Sequence, residues 1–396
     1  MSEHETDSGV VRAGEIGVGV VGAGWMGHLH ARAYARLPHH VTDLPWRPRL
    51  VAVADPVLAA AEDHVARYGF ARAHTDWRDL VADPEITAVS VASPNSTHRE
   101  VGVAVAEAGK HLWIEKPVGL SSVDTAAVAA AVHATGVRST VGFNYRMVPA
   151  VARAKRLIDD GVLGPLTHAR FRLLTDFAAD PDGVLSWRFT REHGGTGVLN
   201  DLAVHGVDLI RHLAGEVASV VADGDRFVPR RPLAQAGASQ YGRGGADSLT
   251  GEVENLDYVS VLGRTTAGAI VTLEASRVAV GDQNDYGFEI HGTRGLLSFD
   301  FRRPGELHVA AGSSYVDQPA TTYAAAPGDG DFALFQPGAG NPTGFDDLKV
   351  SECAAFLRGI AEGRSGGATI DDALAAARVL DAVAESVEKG ARVEPA

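Results

Sequence analysis

Apolar residues in the first third of the chain follow two alternating rhythms. Short, β-branched runs at Ile16–Val21, Leu50–Ala54, Ala88–Ala92, His111–Glu115 and Arg138–Phe143 have the length and composition of buried strands. Between them, the apolar positions of Trp25–Leu37, Leu58–Tyr68, Arg99–Ala108 and Val123–Ala134 recur every three or four residues, as on one face of a helix. Strands that alternate with helices through short loops predict a parallel, doubly wound sheet. The proline-containing stretch Pro38–Arg49 reads as a surface loop before the second strand.

After Pro149 the rhythm changes. A helix near Val151–Asp160 leads to an extended run, His168–Leu174, and a second helix is predicted near Leu202–Leu213. Strand candidates then follow one another at Ser219–Val228, Asp257–Leu262, Ala269–Ser276, Phe288–His291 and Leu296–Phe301, the last two joined by the turn Gly292–Gly295. Successive strands joined by short turns predict an open, mostly antiparallel sheet. Pro229–Gly251 and much of Pro304–Pro342 read as mobile loops. Helices near Phe345–Glu362 and Ile370–Lys389 close the chain. The expected organisation is a polar, disordered tail over 1–14, a nucleotide-type domain over 15–146 and an α+β domain over 147–396.

Composition narrows the function classes. With 396 residues the chain exceeds what a single core of about 250–300 residues organises. A net charge of −14 repels phosphate backbones and disfavours a nucleic-acid partner. No apolar run of about 20 residues is present, so no membrane partner is expected. The single cysteine, Cys353, sits in a helical setting and reads as a small buried residue rather than a thiol nucleophile. The first fourteen residues lack the apolar stretch of a signal peptide, and the cytoplasm is the expected compartment.

Gly22-Ala23-Gly24-Trp25-Met26-Gly27 is a G-x-G-x-x-G between a strand and a helix. Gly22 permits the tight turn, Gly24 lets the backbone approach a pyrophosphate and Gly27 permits close helix–strand packing, while the helix N-terminus favours the anion. This predicts a Rossmann-type, doubly wound domain. Asp55, at the end of the second strand, suits the ribose hydroxyls and repels a 2′-phosphate, so NAD is favoured over NADP. Ser93-Pro94-Asn95-Ser96-Thr97-His98 follows the third strand at the edge where open α/β sheets bind ligands, although it equally suits a turn and helix cap. Glu115-Lys116-Pro117 ends the fourth strand on the same edge, which directs Lys116 at the cofactor crevice.

Asp201 and His205 are spaced i, i+4, so on a helix they share a face, and an imidazole beside a carboxylate suits proton transfer. Read by itself, the pair also fits a helix-start aspartate and a core histidine. The order of these clusters decides between the readings. Gly22–Gly27, Ser93–His98, Glu115-Lys116-Pro117, Asn144-Tyr145-Arg146 and Gly194–Asp208 together resemble the Gfo/Idh/MocA oxidoreductase family. The Leu37–Arg49 insert, Asp176–Pro181, Ser186–Phe189 and Phe288–Gly292 resemble its levoglucosan-dehydrogenase-like branch.

The resemblance implies a Rossmann domain joined to an open-sheet domain through which homodimers or homotetramers form, and NAD-dependent oxidation or reduction of a pyranose, anhydrosugar or cyclitol hydroxyl. It places the catalytic roles on Lys116, Asp201 and His205. It places cofactor contacts on the glycine turn with Trp25 and Met26, on Asp55, Ser93, Asn95, His98, Glu115, Lys116 and Asn144, and on Trp187 and Arg188. Substrate contacts are expected from Lys116, Asp201 and His205, with Tyr145, Arg146, Asp176 and Arg277 as further candidates that equally suit a structural role. Two rivals remain: a non-catalytic sugar or nucleotide sensor on the same fold, and a metal enzyme using Asp201, His205, His193 or His212. The latter is disfavoured because the 16 histidines show no repeated ligand spacing, so no metal is expected.

Overall fold

The computed structural model describes residues 14–234, 242–245 and 247–396. In chain order its main elements are β1 (Glu15–Val21), α1 (Trp25–His40), β2 (Arg47–Ala54), α2 (Leu58–Tyr68), β3 (Arg72–His74), α3 (Trp77–Ala82), β4 (Ala88–Val91), α4 (His98–Glu107), β5 (His111–Ile114), α5 (Ser122–Thr135) and β6 (Ser139–Val141). There follow α6 (Pro149–Asp159), β7 (Leu166–Leu174), α7 (Arg191–Gly194), α8 (Val204–Ala214), β8 (Val217–Asp225), β9 (Arg230–Pro232), β10 (Thr250–Glu252), β11 (Tyr258–Thr265) and β12 (Ile270–Ser276). The remainder is β13 (Asp285–Gly292), β14 (Gly295–Asp300), β15 (Glu306–Ala311), β16 (Ala320–Ala324), α9 (Phe345–Ala361) and α10 (Ile370–Lys389).

The chain divides into two units. The first comprises the residues up to Val118, Asp124–Asn144 and Gly344–Asp371; the second comprises Gly119–Val123, Tyr145–Thr343 and Asp372–Ala396. The sequence reading places a single boundary after Arg146, so the return of α9 to the first unit is a departure from it.

The first unit is built on a parallel six-stranded sheet in the order β3-β2-β1-β4-β5-β6. Val18, Val20, Val51, Val53, Val89, Val91, Leu112 and Ile114 are fully excluded from water on its strands, which explains runs that are apolar without alternation. Strand order reverses between β1 and β4, and a crevice at such a reversal is where doubly wound sheets take ligands. The second unit carries an eight-stranded sheet, β16-β15-β14-β13-β7-β12-β11-β8, antiparallel except for the β12–β7 pair. Along β11, Val259, Val261 and Thr265 are buried while Ser260, Leu262 and Arg264 are exposed, the period-two signature of a sheet covered on one side. Both sheets match the expected α/β class.

Three sequence expectations need correction. Pro38–Arg49 is irregular only over its middle half: α1 runs through Pro38 to His40 and β2 begins at Arg47. The short β3 and α3, absent from the reading, fill the interval after Tyr68. Pro304–Pro342 contains β15 and β16, which extend the second sheet, with Leu307 and Val309 buried on β15. The expected tail lies outside the described residues except for Gly14. So do residues 235–241 and 246 of the expected loop Pro229–Gly251, whose described ends pair as β9 and β10.

Candidate active site

The glycine turn lies at the end of β1. Gly22 has φ +98°, and a Cβ there would meet the Ala92 backbone at 2.7 Å; a Cβ on Gly27 would lie 2.0 Å from the Gly22 carbonyl oxygen. Only glycine fits either position. Above Gly24 nothing lies within 4 Å, and this residue caps α1 without a side-chain partner. The first turn of α1 carries no acid, so its N–H groups offer an anion seat in open space. Trp25 is exposed and stacks on Phe345 at 5.8 Å; Met26 is half-buried. The Asp55 carboxylate accepts hydrogen bonds from Ala23 N and Val57 N, each at 2.9 Å, which ties the acid to the glycine turn. Each carboxylate oxygen keeps further lone-pair capacity, so the residues present fit a dinucleotide pyrophosphate and ribose.

Two loops flank this seat. Ser93 Oγ lies 2.6 Å from Thr97 Oγ1, and Asn95 is half-buried in the following 3₁₀ turn. His98 is buried, and its Nδ1 and Nε2 each lie 2.7 Å from a carbonyl oxygen, of Pro117 and Ser93 respectively. Its expected cofactor contact is therefore corrected: the imidazole joins the two loops instead. The Lys116–Pro117 peptide is cis, and Lys116 is the partly exposed member of its tripeptide.

Glu115 also departs from expectation. Its carboxylate, expected at the cofactor, is buried against His30 Nε2 at 2.9 Å and the Lys349 ammonium. Burial pushes its pKa up, but Lys349 and His30 pull it further down, below the usual carboxylate range. Asn144 is buried at the end of the first unit's main run.

In the second unit, Asp201 lies in a π-helical turn, Leu199–Ala203, that runs directly into α8. Sequence periodicity predicts a plain α-helix here; the wider turn is a feature that clusters at functional sites. Asn200 fixes the approach to it. Its Oδ1 accepts from Thr196 N at 2.8 Å and Thr196 Oγ1 at 2.5 Å. Arg188 Nη1 reaches Asp201 Oδ1 at 3.3 Å, and its guanidinium lies over Trp187 at 4.5 Å. His205 is buried one turn on, edge-to-face with Tyr145 at 4.6 Å. Tyr145 packs in turn on Phe301 at 4.9 Å and Tyr286 at 5.6 Å. Burial raises the phenol pKa of both Tyr145 and Tyr286, reinforced at Tyr145 by Tyr286 and then Asp201 and at Tyr286 by Asp201, so both stay protonated donors at neutral pH.

The Arg146 guanidinium, expected at a substrate, is taken up by two carboxylates. Nε and Nη2 clamp Asp208 at 2.9 and 2.5 Å, and Nη1 reaches Asp372 at 3.2 Å. Arg277 is likewise corrected: it is buried against Asp257 Oδ1 and Asn255 Oδ1, both at 2.8 Å. Asn255 went unnoticed in the sequence. Its Nδ2 donates toward the carbonyls of Arg188, Thr190 and Gly195 at 3.0, 3.3 and 3.1 Å, pinning the segment that carries Arg188. Asp176 is half-buried just beyond β7. Among the described residues, the trio of possible metal ligands within 4.8 Å of one another is His28, Asp63 and His64, none of them in the rival metal reading. The two imidazoles stack at 4.1 Å and 21°, so their in-plane lone pairs run side by side rather than converging on an ion.

Known proteins bear on both units. Residues 16–143 match the family model described as an oxidoreductase family with NAD-binding Rossmann fold, and residues 151–298 match the GFO/IDH/MocA C-terminal domain. Levoglucosan dehydrogenase of Pseudarthrobacter phenanthrenivorans is 38% identical, covering 96% of this chain and 98% of its own. The scyllo-inositol 2-dehydrogenase (NAD(+)) of Bacillus subtilis is 31% identical, covering 76% of this chain and 79% of its own. A solved levoglucosan dehydrogenase in complex with NADH and levoglucosan superimposes with a TM-score of 0.89 at 35% identity, covering 96% of this chain and 99% of that one.

Proposed function

This chain belongs to the Gfo/Idh/MocA oxidoreductase family, and from that premise we propose that it oxidises a ring hydroxyl of an anhydrosugar, pyranose or cyclitol, with NAD preferred over NADP. The observation that carries the reading is the glycine turn tied to Asp55 where the strand order reverses. That acid offers acceptors to a ribose diol and repels a 2′-phosphate. The levoglucosan and inositol dehydrogenases among the relatives support the substrate class.

A nicotinamide dinucleotide supplies the hydride acceptor when bound. His205 takes the proton of the hydroxyl being oxidised, as a neutral imidazole whose ring is held by Tyr145. Lys116 donates a hydrogen bond to the same oxygen and stabilises charge developing there. Asp201, oriented by Arg188, accepts from a neighbouring hydroxyl.

The test is NADH absorbance across levoglucosan, inositols, glucosides and amino-sugar derivatives, with NAD and NADP offered in parallel. Turnover is expected on levoglucosan or a cyclitol, faster with NAD. His205→Ala and Lys116→Ala should each lower kcat by on the order of 10²-fold while NADH binding persists. Near-normal turnover in both variants rejects these roles, and no turnover on any of the compounds rejects the substrate class.

A further inference from the structure

Glu115 and Lys116 are neighbours with opposite surroundings. Lys116 is half-buried, whereas the Glu115 side chain points into the layer formed by α1 and α9. The Lys349 ammonium bonds both Glu115 and, at 2.6 Å, Glu352 Oε2. Glu352 also accepts from Trp113 Nε1 at 3.1 Å. Trp113 and Glu115 are two apart along β5 and its extension, so they project to the same side. Helix α9 thus grips the strand end at two successive points. Lys349 and Glu352 are at most 1% exposed.

Core stability alone does not call for this arrangement, since apolar residues of similar volume commonly serve as well as a buried ion cluster. Position is what the cluster supplies. The tripeptide is held at its start by Glu115 N donating to Val91 O at 2.9 Å and at its end by the Pro117 carbonyl against His98 Nδ1. The carboxylate of Glu115 adds the third fixed point. We infer that Lys349 and Glu352 are positioning residues for the reaction: by anchoring Glu115 from α9 they fix the direction in which Lys116 is presented. The inference rests on the reading that Lys116 acts on the substrate oxygen.

A double-mutant cycle tests it in the full chain. Lys349→Met should lower kcat about tenfold and Glu352→Gln, a neutral isostere, about threefold, with NADH affinity within about threefold of the parent. In a Lys116→Ala background the same substitutions should cost less than about twofold further, because their effect travels through Lys116. A purely structural role would lower NADH affinity or multiply with Lys116→Ala, and either result overturns the inference. So does unchanged kcat in the folded α9 variants while Lys116→Ala is inactive. If Lys116→Ala itself keeps parental turnover, the reading of Lys116 fails and the inference falls with it. Should Lys349→Met not fold, Glu352→Gln decides.

Discussion

A single ring illustrates how protonation is tied to fold. His111 Nδ1 accepts the Arg138 backbone N–H at 3.0 Å, a bond that only the unprotonated nitrogen makes. Burial, with the Arg138 charge, lowers this histidine to about 4. Between pH 6.5 and 4 the unfolded chain therefore takes up a proton that the folded chain refuses, and this contribution to stability is lost as pH falls through that window. The expected outcome is a stability gap between the parent and His111→Asn that shrinks by ~1–3 kcal/mol from pH 7.5 to pH 4.5, read from urea unfolding. A gap that stays constant refutes it. The same principle explains what was legible at this scale. The strand-end placement of Gly22, Asp55 and Lys116 is legible because each follows a strand that its own sequence announces. For Glu115 and Arg146 the structure departs from the expected ligand roles because the partners that cover them, Lys349 and Asp372, lie far along the chain, whereas His98 turns to the nearby carbonyls of Ser93 and Pro117. A sequence shows a charge; it does not show which distant charge meets it.

Elements were legible where periodicity was strong. The doubly wound strands and most of the second sheet fall within a few residues of expectation. β15 and β16 were hidden by Gly, Pro and Ala-rich surroundings, and β16 is exposed along its length, which erases the alternation that marks a strand. The π turn at Leu199–Ala203 also left no mark, because the i, i+4 spacing of Asp201 and His205 fits either helix. What stabilises the preceding segment is one buried amide. Asn255→Ala would strip bonds from three carbonyls and one from Arg277, all with little water to replace them. Such a loss costs ~2–4 kcal/mol, and kcat should fall as Arg188 loses its support. Urea unfolding and steady-state kinetics check both effects; an unchanged midpoint removes Asn255 from this role.

At the scale of the whole molecule, the two-part organisation was legible but its threading was not. One cut after Arg146 is the simplest division of a pattern that changes rhythm there, whereas Gly344–Asp371 belongs with the first unit and Val141 pairs with Ala368. A fragment ending at Arg146 should therefore fail to fold, with Glu115 left without Lys349. Joining 14–144 to 344–371 through a flexible linker should restore a folded, NADH-binding unit, as judged by circular dichroism and nucleotide fluorescence. A well-folded short fragment contradicts this. The interleaving also orders events during synthesis. A nascent chain leaving the ribosome presents β1 to β6 early, yet the helix that neutralises their buried carboxylate emerges only after nearly all of the second unit. The earlier-made half must wait, unfinished, for the later one.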